Sequence, residues 1–253
     1  MTHPDPVECK HDPLGDGVSF VEHLNHMGTD LDVVNAARVS FSKQSNWEVV
    51  GCKEEFDIDC RSVSYIPIFI LSEKDKKLIN YLAKHKHWTP FSQPQVQLRI
   101  KMPIFVARQW YKHSVGFTRN EVSRRYVDDP PEFFVPSVWR ARPEGGIKQG
   151  SSDDEVDLAV TMTFGSMKAY CVQASAAYNE LLKAGVCPEM ARMVLPQSMY
   201  TEFVEVGSLA AYARLYSLRS SKEAQKEVRL YAEAVGKVMQ ELFPVSWEAL
   251  TNG

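Results

Sequence analysis

Gln95-Val-Gln-Leu-Arg-Ile-Lys-Met102, running into Pro103-Ile-Phe-Val-Ala-Arg-Gln-Trp-Tyr111, is the stretch whose reading decides the fold. In its first part Val96, Leu98, Ile100 and Met102 alternate with polar residues. That is the period of a strand with one face in a core and one toward water. In its second part Pro103 brings a fixed φ to a helix start, and Ile104 to Tyr111 reads as a short helix. Toward the N-terminus, Ser72 can cap a helix over Glu73 to Lys84, with Leu78, Ile79 and Leu82 on one face. Pro90 then makes helix improbable at Thr89. Further out, Thr29 and Asp30 precede another helical run from Leu31. Residues 42–70 mix polar, Gly and Cys residues with no clean period and read as an irregular insertion.

Toward the C-terminus, Gly116 marks a loop, and Asp128 to Pro136 is extended and Pro-rich. Residues 142–153 read as a linker-like loop. A long helix is expected from about Asp154 to Ala184, stopped by Gly185, then a short one from Pro188 that ends before Pro196. Tyr200 to Val206 reads as a strand, and two helices, about 208–219 and 221–242, close the chain. The late helices need the sheet to cover their apolar faces, so the linker does not divide independent units. The expectation is an α+β fold: one helix-rich domain over 1–253 with a small, mostly antiparallel sheet.

The composition bounds the function. Hydrophobic residues make up 44% and charged residues 24% of the 253, which is ordinary for a soluble globular protein. A net charge of −3 argues against a nucleic-acid coat, so any anion site must come from local clustering of arginines. No signal peptide is read at the start, and no apolar run approaches the ~20 residues of a membrane span. Five cysteines, Cys9, Cys52, Cys60, Cys171 and Cys187, without a CxxC spacing, point to reduced thiols in a cytoplasm and to no metal site.

The arginine cluster lies next to the deciding stretch: Arg108-Gln-Trp-Tyr-Lys-His-Ser-Val-Gly-Phe-Thr-Arg-Asn-Glu-Val-Ser-Arg-Arg-Tyr126. Arg108, Lys112, Arg119, Arg124 and Arg125 stand there against Glu121 alone. Ser123 beside two arginines offers a hydroxyl and guanidinium forks, the groups that hold a phosphate dianion. On charge alone, a solvated basic face remains equally open.

This segment resembles the signature of the flavin-dependent thymidylate synthases, in which Arg-Gln-Trp-aromatic leads into Arg-His-Arg and then Ser-X-Arg-Tyr. Met27 to Leu31, Ala36 to Phe41, Leu78 to Phe91, Pro103 to Trp110, Ala191 to Pro196 and Leu218-Arg219 resemble that family in the same order. The resemblance implies the family fold and the conversion of dUMP to dTMP. Methylenetetrahydrofolate would be the carbon donor, reduced FAD the hydride source and NADPH the reductant, in a homotetramer with shared sites. It implies dUMP contacts from Gln109, Trp110, Tyr111, Lys112, Glu121, Val122, Ser123, Arg124, Arg125 and Arg192, with Arg219 acting on the uracil ring. It implies FAD contacts from His87, Thr89, Lys112, His113, Ser114, Glu121, Ser208 and Arg214.

The pattern departs from the family in the flavin half. Lys112-His113-Ser114 replaces Arg-His-Arg, the loop to Ser123 is longer by one residue, and Arg119 is the candidate to restore a phosphate contact. Two alternatives stay open: another C5 modification of dUMP, such as hydroxymethylation, and a non-catalytic nucleotide-binding protein.

Overall fold

The computed structural model describes residues 9–56, 63–127, 129–142, 154–156 and 166–252. The chain begins with β1 (Lys10–His11), β2 (Phe20–Met27) and α1 (Asp30–Arg38). A hairpin of β3 (Glu48–Phe56) and β4 (Val63–Ile70) leads to α2 (Glu73–Lys84). Then come β5 (Gln95–Pro103), α3 (Ile104–Trp110), β6 (Phe117–Glu121), β7 (Trp139–Arg140) and β8 (Glu155–Val156). The last part holds α4 (Met167–Lys183), α5 (Pro188–Ala191), β9 (Tyr200–Ser208), α6 (Leu209–Arg219), α7 (Lys226–Leu242) and α8 (Pro244–Thr251).

The main sheet has five strands in the order β1-β2-β5-β9-β6, every neighbour antiparallel. Val96, Leu98, Ile100 and Met102 of β5 are fully buried, as their alternation predicts. Over them lies α7, whose Val228, Tyr231, Ala232, Val235 and Met239 recur at helical spacing and are all buried. The Tyr231 hydroxyl donates to the Lys101 carbonyl at 2.7 Å, which ties α7 to the sheet and satisfies the one polar atom of that ring. The buried Asp30 of α1 accepts from the Val245 and Ser246 amides, each at 2.9 Å, and so caps the start of α8. A single hydrophobic cluster joins these layers from Cys9 to Trp247.

Local sequence signals explain several boundaries. The Ser72 hydroxyl accepts from the Asp75 amide at the start of α2, Pro103 occupies the N-cap of α3, and Gly185 with φ +86° ends α4. The long helix starts later than the sequence suggests. Met167 is its first residue, Glu155 and Val156 pair with β7, and residues 157–165 lie outside the described part.

The segment 42–70, expected to be irregular, holds the β3–β4 hairpin. Its strands escape a periodicity argument because both faces meet solvent: Val49, Val50, Tyr65, Ile66, Ile68 and Phe69 are all exposed. The expected loop after Gly116 becomes β6, the outer strand on β9. Strand β2 and helix α8 add to the expected elements, while residues 143–153 of the linker-like loop lie outside the described residues. Among the described residues no helix is long and apolar enough to cross a membrane, and no His, Cys, Asp and Glu group is placed to hold a metal ion.

Candidate active site

Helix α3 starts at the end of β5 and aims its C-terminal turn at the last turn of α6. Between them lies a hollow of about 460 Å³ lined by Arg108, Gln109, Tyr111, Lys112 and Arg219. Three of these carry positive charge and none is acidic, so the hollow suits an anion in a chain that is negative overall. Arg219 is held at two points. Its Nε donates to His113 Nε2 at 2.9 Å, and its Nη2 donates to the Gln109 carbonyl at 3.1 Å. The Gln109 side-chain amide donates in turn to Gln225 Oε1, and Gln225 Nε2 donates to Glu227 at 2.8 Å. Glu227 is paired with Arg140 at 2.8 Å. The guanidinium of Arg219 therefore sits at the end of a fixed polar chain, with its remaining N–H groups free to meet a ligand.

His113 can accept from Arg219 only when its imidazole is neutral. Burial, followed by the charges of Arg219, Arg119 and Arg214, pushes its pKa down to about 4. At neutral pH it is an acceptor.

Below the hollow is a buried polar layer. Glu205 of β9 is completely buried and accepts from Trp110 Nε1 at 3.3 and 3.2 Å. It also pairs with Arg119, which stands directly across from it on β6. The Arg119 guanidinium packs over the Phe117 ring at 4.7 Å and the Tyr111 ring at 5.6 Å. Tyr111 itself meets Phe203 edge-on at 5.1 Å. Burial first, and then the Glu121 carboxylate, raise the Tyr111 phenol above its ordinary range, so it stays protonated. Gly207 lets β6 come this close, because a Cβ there would meet the Phe117 ring at 2.5 Å.

The model of the family described as thymidylate synthase complementing protein matches residues 22–245. A flavin-dependent thymidylate synthase of Thermus thermophilus is 35% identical over 232 residues, covering 91% of this chain and 74% of that protein. The chain belongs to this family. The enzyme of the same name from Thermosipho africanus is 35% identical over 237 residues, covering 91% and 90%. Among solved structures, a UMP/dUMP methylase from Streptomyces cacaoi bound with 5-Br dUMP aligns at a TM-score of 0.69. It has 25% identity and covers 92% of this chain and 94% of that one.

Measured against the family's pattern, the predicted site residues fall into three groups. Gln109, Tyr111, Lys112 and Arg219 line the hollow together, with His113 behind Arg219. A second group lies outside the lining. The Ser123 hydroxyl accepts from the Arg125 backbone amide at 3.3 Å and its Nε at 3.4 Å, Arg125 stacks over Tyr126, and Arg124 donates to the Asp129 carbonyl. Val122 is exposed, and Glu121 accepts from the Thr201 hydroxyl at 2.6 Å. Arg192 follows α5, exposed, with its Nε on the Glu189 carbonyl at 3.3 Å. On the flavin side, His87 and Thr89 are exposed in the turn after α2, and Ser114 is exposed beside Lys112. Arg214 Nη2 holds the Val115 carbonyl at 2.8 Å. This accessible set, with two cations and hydroxyls at Thr89 and Ser114, fits an anionic cofactor in charge and donor chemistry.

The third group turns inward. The Trp110 ring is a core residue bonded to Glu205, so it shapes the site from beneath. Arg119, the candidate for a restored cofactor phosphate contact, is engaged by Glu205. Ser208, buried, caps α6 by accepting from the Ala211 amide at 3.2 Å. Sequence reasoning missed Glu205 and Gln225. The signal for Glu205 was present, because it falls on the same face of β9 as Phe203, an acid in an apolar register.

Proposed function

We propose that this protein is a flavin-dependent thymidylate synthase. It converts dUMP to dTMP with methylenetetrahydrofolate as carbon donor, reduced FAD as hydride source and NADPH as the reductant. The observation that carries the proposal is Arg219, clamped at two points on the wall of a hollow that holds only cationic and neutral groups. With Nε and one Nη2 hydrogen engaged, the rest of its fork faces N3 and the adjoining carbonyl of a bound uracil. A cation there stabilises negative charge on the ring and sends electron density toward C5, which is otherwise a poor nucleophile.

Gln109 and Lys112 bind the nucleotide from α3, and Glu121 orients a sugar hydroxyl. Ser123, Arg124, Arg125 and Arg192 supply donors for its phosphate. His87, Thr89, Lys112, His113, Ser114 and Arg214 would hold FAD, which supplies the redox chemistry of the methyl transfer when bound. Because Arg192 and the 123–125 turn lie outside the hollow's lining, the complete site is assembled from several copies, in a homotetramer. A core shared by the helices and the main sheet supports one domain over 1–253. The net charge of −3 speaks against nucleic acid as a partner, and a cytoplasmic location follows from the substrates.

Incubation of the purified protein with labelled dUMP, methylenetetrahydrofolate, FAD and NADPH should yield dTMP. A protein that purifies colourless and leaves labelled dUMP unchanged would overturn the reading.

A further inference from the structure

The Lys112–Glu121 loop must hold its two ends in register, since one end carries Gln109, Tyr111 and Lys112 and the other leads into Ser123 and Arg125. A buried carboxylate bonds to both ends. Glu205 receives the Trp110 indole N–H from the end of α3 and the Arg119 guanidinium from the middle of β6. Its own strand, β9, is fixed on the opposite side by full pairing with β5. A carboxylate on this face of a sheet is costly to bury, and the cost is met only while both partners stay in place. Burial pushes the Glu205 carboxyl upward while Arg119, then Trp110 and Tyr212, pull it back.

Arg119 is also incompletely satisfied. Its Nη2 is buried and has no acceptor, although the guanidinium lies between the rings of Phe117 and Tyr111, and Tyr111 forms part of the hollow's wall. A buried guanidinium N–H left unpaired is unfavourable, so the place of Arg119 depends on its ion pair with Glu205.

We propose that Glu205 is a positioning residue for nucleotide binding. It fastens α3 and β6 to β9 through Trp110 and Arg119, and so holds Gln109, Tyr111 and Lys112 in place at the hollow. This rests on the assignment of the hollow to dUMP. A purely structural ion pair would leave dUMP affinity unchanged in a variant with both charges replaced by apolar groups of similar volume, a swap that generally leaves a fold intact.

The test uses the flavin-loaded enzyme and two variants, the Arg119→Met/Glu205→Leu pair and the isosteric Glu205→Gln. Thermal midpoint, flavin content, the dUMP dissociation constant and the KM-against-kcat split are measured for each. The double variant should keep its thermal midpoint within a few degrees and its flavin content. Its dUMP affinity should fall at least about tenfold, while kcat at saturating dUMP changes by less than about threefold. Glu205→Gln, which cannot accept from both partners as a charged group, should lose dUMP affinity in the same direction. If the double variant does not fold, Glu205→Gln alone decides. Wild-type dUMP affinity in either folded variant overturns the proposal while leaving the thymidylate synthase reading untouched. Failure of the wild-type enzyme to bind dUMP removes that reading instead.

Discussion

The two ends of the arginine-rich segment differ in how far the single chain has completed them. At the α3 end, Gln109, Tyr111 and His113 are held by partners distant in sequence, Gln225, Phe203 and Arg219. At the other end, the Ser123 hydroxyl bonds to its near neighbour Arg125, and Arg124 holds a nearby carbonyl. One end is preorganised, and it is the end proposed to meet the base. The other is a set of donors tied to near neighbours, proposed to take the phosphate. Preorganisation matters most where charge develops in the transition state, which on the proposed reading is the uracil end.

The comparison can be broken from the rigid end first. Trp110→Ala removes a fully buried ring and one of the donors to Glu205, so thermal or denaturant unfolding should show a loss of about 3–5 kcal/mol. Next comes Arg219→Ala. Turnover should fall by about 10²–10³-fold with the unfolding midpoint nearly unchanged, because the side chain is half-buried and its partners, His113 and a carbonyl, are uncharged. At the open end, Ser123→Ala should weaken dUMP binding by about 1–2 kcal/mol, seen as a higher KM, while stability moves by less than about 0.5 kcal/mol. A matched stability loss in Ser123→Ala would mean that the open end is as built as the other.

The smallest effect concerns pH. His113 is depressed in the folded chain to about 4 from its ordinary 6.5, so folding favours its neutral form. Its contribution is present above the unfolded value and is lost as pH falls from about 6.5 toward about 4. His113→Gln keeps an acceptor for Arg219 but cannot titrate, so its thermal midpoint should drop less between pH 7 and pH 5 than that of the wild type.

How much was legible follows from where each segment meets water. The run from Val96 to Met102 has a buried and a wet face, so its period shows in the residues, and Ser72, Pro103 and Gly185 mark their helix ends by local chemistry. The β3–β4 hairpin has no buried face, and Pro67 within β4 speaks against a strand, so nothing in its pattern announces one. β6 was hidden for the opposite reason. Arg119 reads as a solvent residue, and only the cross-strand neighbour Glu205, distant in sequence, makes its inward position sensible. The site shows the same division. Lys112, Tyr111 and Gln109 could be read from one contiguous motif, whereas the meeting of Trp110 and Arg119 on Glu205 depends on a strand pairing that no local signal reports.

The central claim is that the cationic hollow under Arg219 takes dUMP beside the flavin. Titrating the flavin-loaded protein with dUMP and following the flavin absorbance tests it most directly. A saturable spectral change in the wild type, strongly weakened in Arg219→Ala, is the expected result. A flavin spectrum indifferent to dUMP, or the same response in Arg219→Ala as in the wild type, would contradict the account.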